Sequence, residues 1–365
     1  MTKILHRDPD RRCKGLEEWP EPDRLLWQAA QVPGDFLEDG GSRARHGEYA
    51  NRNAVGSYGR WLAWFDRQGL LEAPSSPADR ITPARVGAYV ADLEKHNSTS
   101  TLLHRVRELH EVALVMDPDR DWRWLNRICA QIQLRHRPAR PKRPRLVSSL
   151  ELFELGTGLM ARAEQEDTRC AGAMTYRDGL LVALAAARPI RLRNLVGLVL
   201  DRTLVRRGTQ WWIEFSELET KTKNVIELPW PESLLAALEA YLARHRHVLA
   251  NMRGGSARPV GDALWVSSKG SPMTRSGIYW CTTKRTRDAF GHSISPHLFR
   301  DCAATSIAID DPRHVGIAAP LLGHRSASTT EKYYNQAGSV EAARLMQNFL
   351  LSLRHSEPNA EEPGL

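Results

Sequence analysis

Four side chains in the last fifth of this 365-residue chain are of types that handle phosphate, and their spacing lets them work together. The stretch from Ser295 to Asn335 reads SPHLFRDCAATSIAIDDPRHVGIAAPLLGHRSASTTEKYYN. His297 and Arg300 stand at i and i+3, which puts them on one face of a helix, so a single docked phosphate could touch both. His324 lies nine positions ahead of Tyr333. A phenol oxygen can attack phosphorus and keep the bond as an ester, so that later rejoining needs no ATP. Each piece also has an ordinary reading. H-x-x-R suits any solvated basic face, Gly323 suits a left-handed helix cap with His324 merely following, and Tyr333 suits a half-buried aromatic with a wet hydroxyl. The combination is far more specific than its parts.

Taken together, these residues resemble the tyrosine recombinase, or phage integrase, family. Its pattern is H-x-L-R, then L-G-H, then a helix start rich in Ser and Thr, then the nucleophilic tyrosine. Here it stands as His297-Leu298-Phe299-Arg300, Leu322-Gly323-His324, and Ser328-Thr329-Thr330-Glu331-Lys332-Tyr333. Phe299 replaces the usual leucine, and Asp301-Cys302 stands where many relatives have His-Thr. The family register, five positions after the serine, selects Tyr333 over Tyr334; helix neighbours point about 100° apart, so one of the two faces the phosphate.

The resemblance also implies an arginine at the end of an apolar helix, within T-G-L-R-x-x-E-L. The run LLVALAAA leads into Arg188-Pro189-Ile190-Arg191-Leu192-Arg193-Asn194-Leu195. Matching the final leucine places Arg191 on the catalytic position and Asn194 on the usual glutamate. The Thr-Gly is missing, and Arg188 and Arg193 compete with Arg191. A lysine from a β-hairpin is implied as well. Counting back from Pro229 picks Lys221, with Lys223 the alternative.

By this carry-over Tyr333 is the nucleophile. Arg191 and Arg300 clamp the non-bridging oxygens with fixed donor forks. Lys221 protonates the departing 5′ oxygen as general acid, His297 assists proton transfer from the tyrosine, and His324 bonds a phosphate oxygen. No metal and no cofactor is expected.

The elements that must position these groups follow from composition and periodicity. Lys and Arg number 51 against 43 Asp and Glu, so the surface should attract polyanions, with duplex DNA the default partner. Five scattered cysteines form no C-x-x-C pair, and neither a disulfide frame nor a zinc site is indicated. No apolar run reaches signal-peptide or membrane-span length, so no membrane association is expected and the location should be cytoplasmic, at the nucleoid.

The length predicts two domains. Residues 1–40 read as a loosely ordered arm with one short helix, DRLLWQAAQV. Residues 41–136 carry helical periodicity, and Thr82-Pro83 and Ser98 mark helix starts. This unit is a helical bundle that looks like the family's core-binding domain. Residues 137–147, which overlap the run RHRPARPKRPR of Arg135 to Arg145, read as a proline-stiffened basic linker whose charges suit phosphates. Arg135, Arg137, Arg140, Lys142, Arg143 and Arg145 are therefore candidate DNA contacts, as are Lys284 and Arg285 on the helix TRSGIYWCTTKRTRDAF.

Residues 148–355 should form the catalytic domain and 356–365 a disordered acidic tail. Within the catalytic domain TLVRR, TQWWIEFSEL and KNVIELPW alternate as strands of a short antiparallel sheet, followed by one helix over 231–250 and a strand-like ALWVSS. His245-x-His247 reads as solvated surface. The expected fold is thus mainly α with a small antiparallel β-sheet.

The function implied is a site-specific DNA recombinase or integrase of a mobile element or phage, working through a 3′-phosphotyrosyl intermediate. A homotetramer on DNA and accessory DNA-bending proteins are the implied partners, and the apolar face of SVEAARLMQNFLLSL would serve the tetramer or its own domain equally well. A type IB topoisomerase shares this chemistry. A DNA-binding regulator or architectural protein that has lost cleavage is the alternative from another class. A metal-dependent nuclease finds no paired carboxylates.

Overall fold

The computed structural model describes residues 12–71, 75–135, 141–166, 168–220, 223–252 and 260–310, with the short stretches 338–339, 342–343 and 345–348. The chain divides into two compact units, Met1–Pro141 and Lys142–Leu365.

The first unit is built from α1 (Glu21–Ala29), α2 (Glu48–Arg67), α3 (Pro83–Glu94), α4 (Thr99–Met116) and α5 (Arg123–Leu134). Local chemistry sets the starts: the Thr82 hydroxyl accepts from Arg85 N–H ahead of Pro83, and Ser98 accepts from Thr101 N–H, each at 3.4 Å. The aromatics of α2 do what their spacing requires and fill the core, with Tyr58, Trp61 and Phe65 fully buried and Trp61 stacked on Trp64.

The N-terminal arm departs from expectation. The segment 15–30 contributes to this unit's core through Trp19 and Trp27, which are buried in one cluster with the aromatics of α2. A buried ion pair fastens it beside these rings: Arg80 grips both oxygens of Asp23 at 2.6 and 2.9 Å, and the Tyr58 hydroxyl donates to the same carboxylate at 2.6 Å. Composition gave no sign of it, because the partners lie 57 residues apart. Asp23→Ala strands the Arg80 guanidinium in the core, and breaking one side of such a pair costs about 3–5 kcal/mol. The expected outcome is a clear fall in the unit's thermal midpoint, far larger than for Tyr58→Phe.

The second unit is organised on α7 (Arg169–Ala187), which follows α6 (Ser149–Ala163) and is buried nearly all round from Gly172 to Ala186. The two helices meet at glycines. A Cβ on Gly156 would lie 2.5 Å from the Ala183 nitrogen, and one on Gly179 would lie 2.6 Å from the Gly156 carbonyl. After α8 (Leu192–Val196) come β1 (Leu204–Arg207), β2 (Gln210–Phe215) and β3 (Ile226–Pro229), an antiparallel sheet in the order β1-β2-β3, with Ile213 opposite both Leu204 and Leu228. Strand β2 turns Trp211, Ile213 and Phe215 inward, the alternation its sequence shows.

Residues 231–250 are not one helix. They run through α9 (Leu235–Ala240), a π-helical turn at Tyr241–His245 and α10 (Arg246–Ala250). In the π turn His245 stacks on Tyr176 with ring centroids 3.9 Å apart, and burial pushes its pKa down, so it is a packed aromatic and not the solvated group expected. The ALWVSS segment makes only isolated bridges, Val199 with Ala263 and Val266 with Pro272. Helices α11 (Arg275–Phe290) and α12 (Pro296–Asp310) complete the described part. Among the described residues no helix is long and apolar enough to cross a membrane.

Candidate active site

Proline 189 ends the apolar helix α7 and forces the corner on which the upstream arginines sit. Their surroundings separate the three. Arg188 donates from Nε to the Pro229 carbonyl and from Nη1 to the Ala187 carbonyl, both at 3.1 Å, so it braces the corner against the end of β3. Arg193 is exposed. Arg191 occupies the N-cap position of α8 in extended conformation and is half-buried, and burial lowers its pKa from the ordinary arginine value.

The H-x-x-R pair arrives on α12. Glycine 291, in the left-handed region at φ 72°, ends α11. The Ser295 hydroxyl then accepts from Leu298 N–H at 3.4 Å, and Pro296 fills the first helical position. His297 faces solvent, while Arg300 one turn later is only 7% exposed. The Arg300 Nη1 donates to the carbonyl of Pro189, two residues before Arg191. This one bond spans 111 positions and ties the second turn of α12 to the α7–α8 corner.

The hairpin turn closes on the same corner. Thr220 is buried and its hydroxyl donates to the Asn224 carbonyl at 2.8 Å and accepts from Asn224 N–H at 3.0 Å, pinching the loop on either side of the candidate lysines. Lys223 takes the strained left-handed conformation at φ 51°. Asn194, buried, makes a long 3.5 Å contact from Nδ2 to the Glu219 carbonyl, two residues before Lys221. It thus holds the turn as a neutral partner, while its buried Oδ1 finds no hydrogen bond. Lys221, His324, Tyr333 and Tyr334 lie outside the described residues.

Residues 159–339 match the family model described as phage integrase family. Through that region the chain belongs to the phage integrase family. It is 31% identical over 177 residues to the tyrosine recombinase XerD of Pseudomonas aeruginosa, covering 48% of this chain and 53% of that one. Against XerC of Myxococcus xanthus it is 34% identical over 100 residues, or 27% of this chain and 32% of the relative. The chain therefore spans about half the length of the curated relatives it matches. In fold it is similar to the XerH site-specific recombinase in a pre-cleavage complex with its difH substrate, with a TM-score of 0.55 at 14% identity, over 88% of this chain and 96% of that one.

The basic residues singled out in the sequence fall into different environments. Arg135 and Arg143 are exposed, and Arg137 and Arg140 lie outside the described residues. Lys284 is exposed and pairs with Asp288 at 2.7 Å. Arg285 is a correction: it turns into the domain, where its Nε donates to Asp178 at 2.9 Å beside Arg177, itself bonded to Asp178 at 2.6 Å and to the Val266 carbonyl at 2.7 Å. A buried carboxylate needs cationic partners, and Asp178 on α7 claims Arg285 from α11. Lys142 and Arg145 are also engaged, Lys142 with Asp301 at 2.7 Å and Arg145 with the Ser293 carbonyl at 2.6 Å. No local pattern announces these contacts, since each joins residues more than a hundred positions apart.

Proposed function

We propose that this chain is a site-specific DNA recombinase that cleaves and rejoins duplex DNA through a covalent 3′-phosphotyrosyl intermediate. The observation that carries the reading is the bond from Arg300 to the Pro189 carbonyl, which brings the H-x-x-R helix to the corner bearing Arg191. Membership of the phage integrase family over residues 159–339 supports it.

In the reaction proposed, the Tyr333 oxygen attacks phosphorus and gives up its proton toward His297. The bond from phosphorus to the 5′ oxygen breaks, and that oxygen takes a proton from Lys221. Arg191 and Arg300 hold the non-bridging oxygens as charge builds on them, and His324 bonds one of them. Charge stabilisation of this kind is usually the largest catalytic contribution. Rejoining runs the steps in reverse, with a 5′ hydroxyl as nucleophile and tyrosine as leaving group.

Residues 41–136 are assigned to gripping DNA, 148–355 to the chemistry, and the basic stretch 137–147 to joining them. The working form is a homotetramer on duplex DNA at the nucleoid. The exposure of Leu345 and Met346, apolar side chains in the last described helical stretch, supports an intersubunit role for that segment.

The test is incubation with nicked suicide duplexes spanning the DNA that flanks the coding sequence, looking for protein linked to a 3′ end. Adduct should form on a specific duplex, poorly on random sequence, and at an unchanged rate in excess chelator. Relaxation of a plasmid lacking the site would point instead to a topoisomerase. Intact DNA binding with no adduct on any duplex would sink the enzyme reading and leave a binding protein.

A further inference from the structure

Lys142, inside the basic run, is not simply presented to solvent. Its Nζ donates to Asp301 Oδ2 at 2.7 Å, with the lysine side chain 52% exposed and the aspartate 13%. The residues that follow are laced onto the same helix region: Arg145 bonds the Ser293 carbonyl, and Ser149 N–H donates to the Ser306 hydroxyl at 2.9 Å. Beside the ion pair a cavity of about 500 Å³, lined by Arg143, Leu146, Thr305 and Ile309 among others, leaves the lysine stem room to turn. Asp301 directly follows Arg300 on α12.

We propose that Asp301 is a built-in competitor for a DNA phosphate, holding Lys142 until duplex docks and then releasing it to the backbone. The inference rests on the DNA-processing role proposed above. A lysine is a compact point charge on a flexible stem, so it can exchange one oxyanion for another without rebuilding its surroundings. The segment 145–149 stays fastened while the half-exposed Lys142 exchanges. The exchange removes a tie from the second turn of the helix bearing His297 and Arg300 only once the linker is loaded, which couples occupancy of the linker to the arginine beside it. Because a partly exposed ion pair is a modest interaction, the competitor should weaken duplex binding by a factor of about two to five.

A double-mutant cycle on the full chain tests this. Equilibrium binding to a fluorescent random-sequence duplex is measured against salt for the wild type, Asp301→Asn, Lys142→Gln and the double variant. Asp301→Asn should tighten binding about two- to fivefold. Lys142→Gln should weaken it and flatten the salt slope by about one phosphate contact. In the Lys142→Gln background, Asp301→Asn should change nothing. Equal tightening by Asp301→Asn in both backgrounds would mean a general charge effect and would overturn the exchange, as would no tightening in either. A wild-type chain with no affinity for duplex would overturn the DNA reading and the exchange together, whereas a wild type that binds and forms adduct while the cycle is additive removes the exchange alone.

Discussion

Tyr333→Phe should abolish the covalent protein–DNA adduct while duplex binding survives. The substitution removes one oxygen, and that oxygen is the atom asked to displace the 5′ sugar oxygen. A phenylalanine ring keeps the size and packing of the tyrosine, so no other loss is expected. Affinity for duplex comes chiefly from cations neutralising phosphates, and the phenol contributes nothing to that sum. Tyr334→Phe supplies the contrast, and should leave the adduct intact. Denaturing gels of each variant with a nicked duplex read both results. Loss of the adduct in Tyr334→Phe alone would show that the register counted from Ser328 is off by one.

Arg191→Lys should slow adduct formation by about 10²–10³-fold, the range seen when one donor to a developing oxyanion is removed. The charge survives the change, but the planar fork does not, and a single ammonium cannot hold two oxygens in fixed geometry. Arg300→Lys should lose as much rate and something more. Its guanidinium also bonds the Pro189 carbonyl, so the lysine variant gives up a tie between α12 and the corner carrying Arg191. The expected pattern is a slower reaction for both variants, with a lowered melting temperature for Arg300→Lys. Single-turnover adduct formation alongside thermal melts checks it. A melting temperature for Arg300→Lys equal to that of the wild type would mean that the Pro189 bond carries no weight in holding the site together.

The candidate site was legible in unequal parts. His297 and Arg300 stand at i and i+3, a local relation, and both fall on α12, where the first faces solvent and the second is buried. Choosing among Arg188, Arg191 and Arg193 was harder, since all three share one apolar flank and differ only in what surrounds them once α7, α8 and β3 are packed. Arg188 is drawn to the end of β3 and Arg193 faces water, which a linear pattern does not encode. Arg285 shows the opposite failure. It sits in a basic helix of ordinary appearance, yet a carboxylate 107 positions earlier takes it inward.

What the sequence determined by itself was everything that depends on near neighbours. Threonine and serine caps open the helices where expected, alternation in QWWIEF produces β2, and the spacing of the phosphate-handling residues carries the resemblance to the family whose model matches residues 159–339. The tertiary structure alone decided which charges meet: Asp23 with Arg80, Asp178 with Arg285, Lys142 with Asp301, and Arg300 with a backbone carbonyl at Pro189. The physical reason is that caps and periodicity are settled within a few residues of chain. A buried charge instead takes whichever partner the packing of distant helices brings within hydrogen-bond reach, and the cost of leaving it unpaired then holds that packing in place.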